Sequence, residues 1–457
     1  MLSRLADRLE RSLGQKYWKT HALDMINAPL PALSAHQKAV ADYICDGQDH
    51  VFLTGRAGTG KTTLTRAILQ RLGNRAAILA PTGVAAMNAG GQTLHSFFQF
   101  PPRLITPGDV RRLRNARVVK ALTTLVIDEI SMVRSDMMQA LDSALRLNRD
   151  SHEPFGGVRL LLVGDLAQLP PIAQGEEAAF LNEYFGGPFF FQCPSFRDAG
   201  FTMIELTQVH RQADPEFVDI LNAVREGALD RDLAEALNAR VTGRTGLEAS
   251  QTHVVLTATN QTAHQINQAR LDRLVGEPRG FSGKLEGQFD ARLMPAEDPL
   301  ILKQGARVMM IRNDPARRYV NGSIGEVIGF SAEGIKVLVN DEDVTIEKVS
   351  WERIRYNADP KTGALKKETI GSFSQYPLRL AWAMTIHKAQ GLTLDKVYLD
   401  ISRRLFAHGQ AYVALSRARS LEGLELSEPL RASDIIMDSR LFDVRAYCDP
   451  APAHLEA

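Results

Sequence analysis

The chain has 457 residues, 44% of them hydrophobic and 23% charged, a composition that belongs to folded proteins and excludes a largely disordered one. Its 54 Lys and Arg residues nearly balance 53 Asp and Glu residues for a formal net charge of +1, so a dedicated basic arm is excluded and any polyanion must be held by a local patch. Cys45, Cys193 and Cys448 lie too far apart for a disulfide framework or a metal-ligand spacing and read as buried thiols of a cytosolic or nuclear protein. No apolar run is long enough to cross a membrane, and at roughly 150 residues per domain about three packed units are expected.

In chain order, Leu2, Leu5, Leu9 and Leu13 recur at helical spacing and predict a packing helix over Met1–Gly14. The segment lacks a signal-peptide core, and Asp7 and Glu10 oppose a transit peptide, although an organellar address stays open. Next come short apolar runs ended by turns: Val51–Thr54, Ala77–Ala80, Leu125–Asp128 and Leu160–Gly164. Such runs, divided by longer helical stretches, predict buried parallel strands and an α/β fold. A second set begins with Val254–Thr257 and resumes at Lys396–Asp400. Between them, Arg307–Ile311, Ile324–Phe330, Ile335–Asn340 and Asp343–Ile346 are β-like segments split by Gly and Asn turns. Residues 310–375 are therefore expected to form a small β-barrel inserted in the second α/β unit, with Asn357–Lys367 as a mobile tip.

The first strand runs into Gly55-Arg56-Ala57-Gly58-Thr59-Gly60-Lys61-Thr62, followed by Thr63, which is a complete Walker A loop in its strand–loop–helix context. Its glycines let backbone N–H groups turn around phosphate oxygens, and a helix beginning near Gly60 adds its positive end. Lys61 is expected to reach the β- and γ-phosphates of ATP, and Thr62 to hold Mg²⁺. The third strand ends in Asp128-Glu129, a Walker B pair. There Asp128 is expected to hold the Mg²⁺ and Glu129 to polarise the attacking water. The fourth leads into Asp165-Leu-Ala-Gln168, where Gln168 can sense the γ-phosphate. Phosphoryl transfer also needs positive charge on its transition state, and Arg211 and Arg417 offer it from later in the chain.

These motifs, in this order, resemble the Pif-type (petite-integration-frequency) helicase family, in the 5′-to-3′ branch of helicase superfamily 1 near the RecD-like enzymes. The likeness runs from about Leu33 to Leu426 and is most specific at Pro154–Gly157 leading to Gln168-Leu-Pro-Pro171, at Trp382–Gly391 and at Gly409–Arg417. It implies two RecA-like P-loop domains with a small wedge insertion in the first and the β-barrel insertion in the second. The boundaries expected are 1–205 with a wedge at 97–120, then 206–309 with 376–457, and 310–375 for the insertion. By position it implies Gln37 on the adenine edge and Gly391 beside the ATP cleft, with Gln390 between cleft and track. It implies Pro81, Thr82, Gly83 and His95 on single-stranded DNA from the first domain, and Thr257, Asn260, Thr385, His387 and Lys388 from the second. Arg211 and Arg417 become arginine fingers. Phe97 and Phe98 beside His95 stack on bases in one reading and belong to the core in the other.

The implied activity is an ATP-dependent 5′-to-3′ DNA helicase acting on single-stranded, duplex or forked DNA, G-quadruplexes included, in replication, repair, recombination or telomere maintenance. A monomer in the cytoplasm is expected, with nucleus or organelle left open. Little lies outside the motor core, so accessory domains are not expected. The wedge region matches the family poorly residue by residue. Two other classes compete: a P-loop ATPase that remodels proteins without tracking DNA, and a motor subunit whose nuclease is a partner chain. The tract Thr385–Gly391 argues against the first, because a plain ATPase does not need it.

Overall fold

The computed structural model describes residues 32–455 apart from 115, 174, 210, 211, 213, 315, 317, 340 and 359–364. The helix expected over Met1–Gly14 and the finger expected at Arg211 lie outside the described residues.

The first lobe is built on a seven-stranded sheet. In spatial order its strands are Cys448–Pro450, Phe201–Leu206, His50–Gly55, Arg159–Val163, Thr124–Ile127, Ala76–Ala80 and Gln92–Thr93, all parallel. Its central strands are buried along nearly their whole length, as continuous Val/Ile/Leu runs require when helices cover both faces. Helices Ala35–Asp46 and Lys61–Leu72 pack on one face around Val40, Ile44, Leu64 and Ile68. Helix Ser135–Arg149 and the Phe189–Phe191 segment bury the other.

The second lobe carries a four-stranded parallel sheet in the order Ala383–Thr385, Val254–Thr257, Val397–Asp400 and Leu424–Leu426. Its core extends across the lobe boundary to take in Ala57 and Leu169 of the first lobe. Between Val254–Thr257 and Ala383–Thr385, the first two strands of that sheet in the chain, Arg307–Met310, Ile324–Phe330, Ile335–Val339, Glu342–Ile346 and Leu378–Leu380 form a five-stranded antiparallel sheet. A three-stranded sheet adds the long hairpin Val349–Ala358/Leu365–Gln375 and Lys284–Gly287. The inserted β structure thus reaches beyond 310–375 on both sides, because its edge strands come from segments too short to show a period.

One further feature differs from expectation. Cys448–Pro450 returns to the first sheet and pairs with Phe201–Leu206, while Leu455 joins the first lobe's core, so residues 448–455 pack with the first lobe rather than the second. Residues 359–364 of the expected mobile tip lie outside the described residues, and the strands that flank them are docked. Tyr356 is only 4% exposed, accepts the Ile78 N–H on its hydroxyl at 3.2 Å and meets Phe97 edge to face, and Lys367 Nζ donates to Gly90 O at 2.5 Å. The apolar side chains of the hairpin find a partner surface on the first lobe, which a polar loop sequence does not reveal.

Candidate functional site

In a parallel α/β sheet, ligand-binding loops gather at the carboxyl ends of the strands. Three neighbouring strands here deliver three loops to one place: the Walker loop after His50–Gly55, Asp165–Gln168 after Arg159–Val163, and Asp128-Glu129 after Thr124–Ile127. Gly58 and Gly60 take φ of +85° and +83°, a region that side chains resist, and Gly60 opens helix Lys61–Leu72. Lys61 Nζ is turned inward onto Gly55 O at 2.6 Å and Arg56 O at 3.0 Å. An ammonium held in a glycine-rich loop at a helix N-terminus is an arrangement that suits a polyphosphate. Thr62 is exposed on the first turn of the helix and Thr63 is half-buried beside it.

Gln37 braces this loop from helix Ala35–Asp46. Its amide donates to Thr59 O at 3.1 Å and accepts the Ser34 N–H at 3.1 Å, closing a capping box. Both atoms expected to face adenine are bonded to protein in this state.

Asp128 and Glu129 are half-buried side by side, and Asp128 Oδ1 accepts the Glu129 N–H at 3.0 Å. Glu129 sits at φ +52°, a strained conformation for a residue with a side chain. Burial, reinforced by the Asp128 carboxylate, raises the Glu129 carboxyl to about 7, while Lys61 and Arg417 pull the other way. Burial raises Asp128 as well. Gln168 is buried within 3.4 Å of Asp165 Oδ2.

The second lobe closes the site. Gln390 Nε2 donates to Glu129 Oε2 and to Gln168 Oε1, both at 3.1 Å, so one amide ties the acidic pair to the fourth-strand loop. Gly391 follows it, exposed, at φ +81°. Arg417 is 1% exposed, with its guanidinium donating to Val413 O at 2.8 Å, Leu392 O at 3.1 Å and Ser416 Oγ at 2.7 Å. Arg225, which the sequence did not single out, stands 3.4 Å from both Asp165 and Glu205. Its local sequence is an ordinary amphipathic helix, so it carried no signal.

The residues expected along a nucleic-acid strand fall on both lobes. Pro81, Thr82 and Gly83 follow strand Ala76–Ala80, where Thr82 accepts the Ala85 N–H at 3.2 Å as a helix cap. His95 is half-buried, and burial together with Arg134 lowers its pKa, favouring the neutral ring. In the second lobe Thr385 is the register partner of Thr257, so both lie at the same end of paired strands and both are buried. Asn260 is exposed at the start of helix Asn260–Arg273, and His387 and Lys388 are exposed on the turn after Thr385. Leu293 and Arg353 approach Gly83 and Ser96 from the inserted domain: a Cβ on Gly83 would stand 2.5 Å from Leu293, and Arg353 reaches Ser96 Oγ at 3.5 Å.

Phe97 and Phe98 do not present a stacking surface. They are 8% and 3% exposed, contact each other edge to face, and pack with Phe100 and Tyr356 in the first lobe's core. The core reading replaces the stacking one.

Two parallel sheets facing each other across a Walker loop define a two-lobed P-loop protein. Comparison with known proteins narrows the class. Residues 32–234 match the model of the PIF1-like helicase family, and residues 364–451 match a second model described as a helicase. The chain is 36% identical over 449 residues to the ATP-dependent DNA helicase PIF1 of Homo sapiens, covering 93% of this chain and 64% of that protein. It is 34% identical over 412 residues to the ATP-dependent DNA helicase Pif1 of Bdellovibrio bacteriovorus, covering 86% of this chain and 87% of the other. The crystal structure of a Bacteroides species Pif1 in complex with ADP-AlF4 superposes with a TM-score of 0.84 at 36% identity, over 91% of this chain and 97% of that one. The chain belongs to the PIF1-like helicase family, and its two lobes are RecA-like. It spans 60 to 64% of the length of the human, rat and mouse relatives that it matches.

Proposed function

We propose that this chain is an ATP-driven DNA helicase that moves 5′-to-3′ along single-stranded DNA and opens duplex ahead of it. The observation that carries the reading is the cross-lobe arrangement at Glu129. The acidic pair, Gln168 and the Walker loop come from the first lobe, while Gln390 and the nearby charge of Arg417 come from the second. An ATPase that turned over within one lobe would not need the second. In this reading Lys61 faces the β- and γ-phosphates, Glu129 orients and deprotonates the attacking water, Gln168 reports the γ-phosphate, and Arg417 offsets charge on the transition state. The Thr62 hydroxyl and the Asp128 carboxylate would hold Mg²⁺, which would neutralise phosphate charge.

ATP pulls the lobes together and hydrolysis releases them. Because Thr257 and Thr385 share one end of the second sheet and Thr82 one end of the first, alternate closing and opening advances the two lobes along a strand held mainly by its backbone. A Bacteroides Pif1 relative has been crystallised with ADP-AlF3 and single-stranded DNA, which supports both ligands for this chain. A monomer is proposed on single strands, and because a relative's structure concerns forked duplex DNA unwound by two coordinating Pif1 helicases, a fork is the place to measure association. Among the described residues no helix is long and apolar enough to cross a membrane.

The test is ATP hydrolysis with and without single-stranded DNA, followed by strand displacement on duplexes with 5′ or 3′ tails. The expected result is DNA-stimulated turnover, displacement of the 5′-tailed substrate only, and loss of both in Lys61→Ala. DNA-independent turnover would instead favour a protein-remodelling ATPase, and displacement from 3′ tails would reverse the polarity.

A further inference from the structure

The nucleotide site does not use one contact that crosses the same lobe boundary. The segment 408–412 of the second lobe meets the first at three points. His408 Nε2 lies 2.9 Å from Leu166 O. A Cβ on Gly409, at φ +72°, would stand 2.5 Å from the carbonyl oxygens of Ala167 and Gln168, so only a residue without a side chain fits there. The Tyr412 hydroxyl accepts the backbone N–H of Ala57, inside the Walker loop, at 2.8 Å. Tyr412 is 3% exposed, and Ala57 is packed into the second lobe's core rather than the first's.

Tyr412 and Arg417 are joined through one buried, hydrogen-bonded piece of chain. Helix Gln410–Leu415 is buried throughout, and Arg417 Nε bonds back to Val413 O at 2.8 Å. A shift of Tyr412 against the Walker loop is therefore a shift of Arg417 against whatever that loop holds. We propose that Tyr412 is a positioning residue whose hydroxyl, by accepting the Ala57 N–H, pins the second lobe's helix to the Walker loop and so sets the line along which Arg417 approaches the γ-phosphate. Burial raises the Tyr412 hydroxyl above its ordinary value, so it stays protonated and keeps a neutral oxygen towards Ala57 across the working pH range. A neutral acceptor holds the loop without competing with the phosphates for the loop's charge. This inference rests on the motor reading above.

The test is Tyr412→Phe, which keeps the ring and its packing and removes only the hydroxyl. DNA-stimulated ATP hydrolysis is measured in the wild type, Tyr412→Phe, Arg417→Ala and the double variant, with affinity for a fluorescent ADP analogue as the check on folding and binding. We expect kcat to fall about tenfold in Tyr412→Phe, the effect of one well-placed buried hydrogen bond, with nucleotide affinity within about threefold of wild type. In the Arg417→Ala background the same substitution should do almost nothing, because a residue that acts through another loses its effect when that one is gone. A purely structural tyrosine would lower the melting temperature and leave kcat alone. Unchanged kcat, or a tenfold fall that persists in the Arg417→Ala background, overturns the proposal while DNA-stimulated hydrolysis by the wild type still supports the motor. Absence of that wild-type hydrolysis overturns the motor reading and this inference with it.

Discussion

Glu129→Gln is expected to slow the protein and to stabilise it at once. The carboxyl is half-buried beside Asp128 at a strained φ of +52°, and its pKa rises from 4.5 to about 7. A carboxyl shifted that far carries a penalty of roughly 3 kcal/mol on its ionised form. Asp128 shares the repulsion, so the gain from removing one charge is on the order of 1 to 3 kcal/mol. The direction follows from linkage. Between pH 4.5 and about 7 the folded state binds the proton that the unfolded state releases, so the wild type loses stability as pH rises through that window. The glutamine has no such penalty, so its advantage should be absent below about pH 4.5, grow through the window and level off above pH 7. Its amide oxygen still accepts from Gln390, which keeps the cross-lobe bond. Turnover should fall by about 10²- to 10⁴-fold, the range for loss of a catalytic acid or base, while ATP binding persists. The assay pairs thermal or urea melts in chelator, without nucleotide, from pH 5 to 8.5 with DNA-stimulated hydrolysis at neutral pH. A variant that is less stable than wild type at pH 8, or that keeps near-normal turnover, would falsify the assignment of Glu129.

Arg417 and Arg419 lie two residues apart and make a natural contrast. Arg417→Ala should bind ATP and single-stranded DNA yet lose about 10³-fold in kcat, whereas Arg419 pairs with Asp395 at the surface, where both side chains are more than half exposed, and should lose little. Equal, mild losses at both positions in steady-state hydrolysis would mean that the second lobe does not complete the site. His50 predicts the acid limb of stability. Its Nδ1 accepts the Leu160 N–H at 3.0 Å, and burial, with Arg159 nearby, lowers its pKa from 6.5 to about 4. The unfolded chain therefore binds a proton that the fold rejects, and stability should decline as pH falls from about 6.5 to 4, by up to roughly 3 kcal/mol from this group. His50→Gln should flatten that decline in urea melts compared at pH 7.5 and 4.5, and an unaltered slope would remove His50 as its cause.

Local sequence determined the parts of this protein that local physics governs. The Walker loop is legible because a strand, a glycine-rich turn and a helix N-terminus are contiguous, and the turn needs Gly58 and Gly60 whatever surrounds it. The buried strands are legible because parallel strands covered on both faces must be continuous apolar runs. The Asp128-Glu129 pair follows from the same rule, as the polar end of such a run. What only the tertiary structure decided is every choice among partners far apart in the chain. Phe97 and Phe98 have side chains equally fit for a base or a core, and the docked hairpin with Tyr356 turned them inward. Cys448–Pro450 is too short to show a period and became a strand because the edge at Phe201–Leu206 stood open to it. Gln390 meets Glu129 across 261 residues of chain, and Tyr412 meets Ala57 across 355. Hydrogen bonds of that kind leave no periodic trace, because each asks only for one donor and one acceptor brought within 3 Å or so by the packing of two lobes.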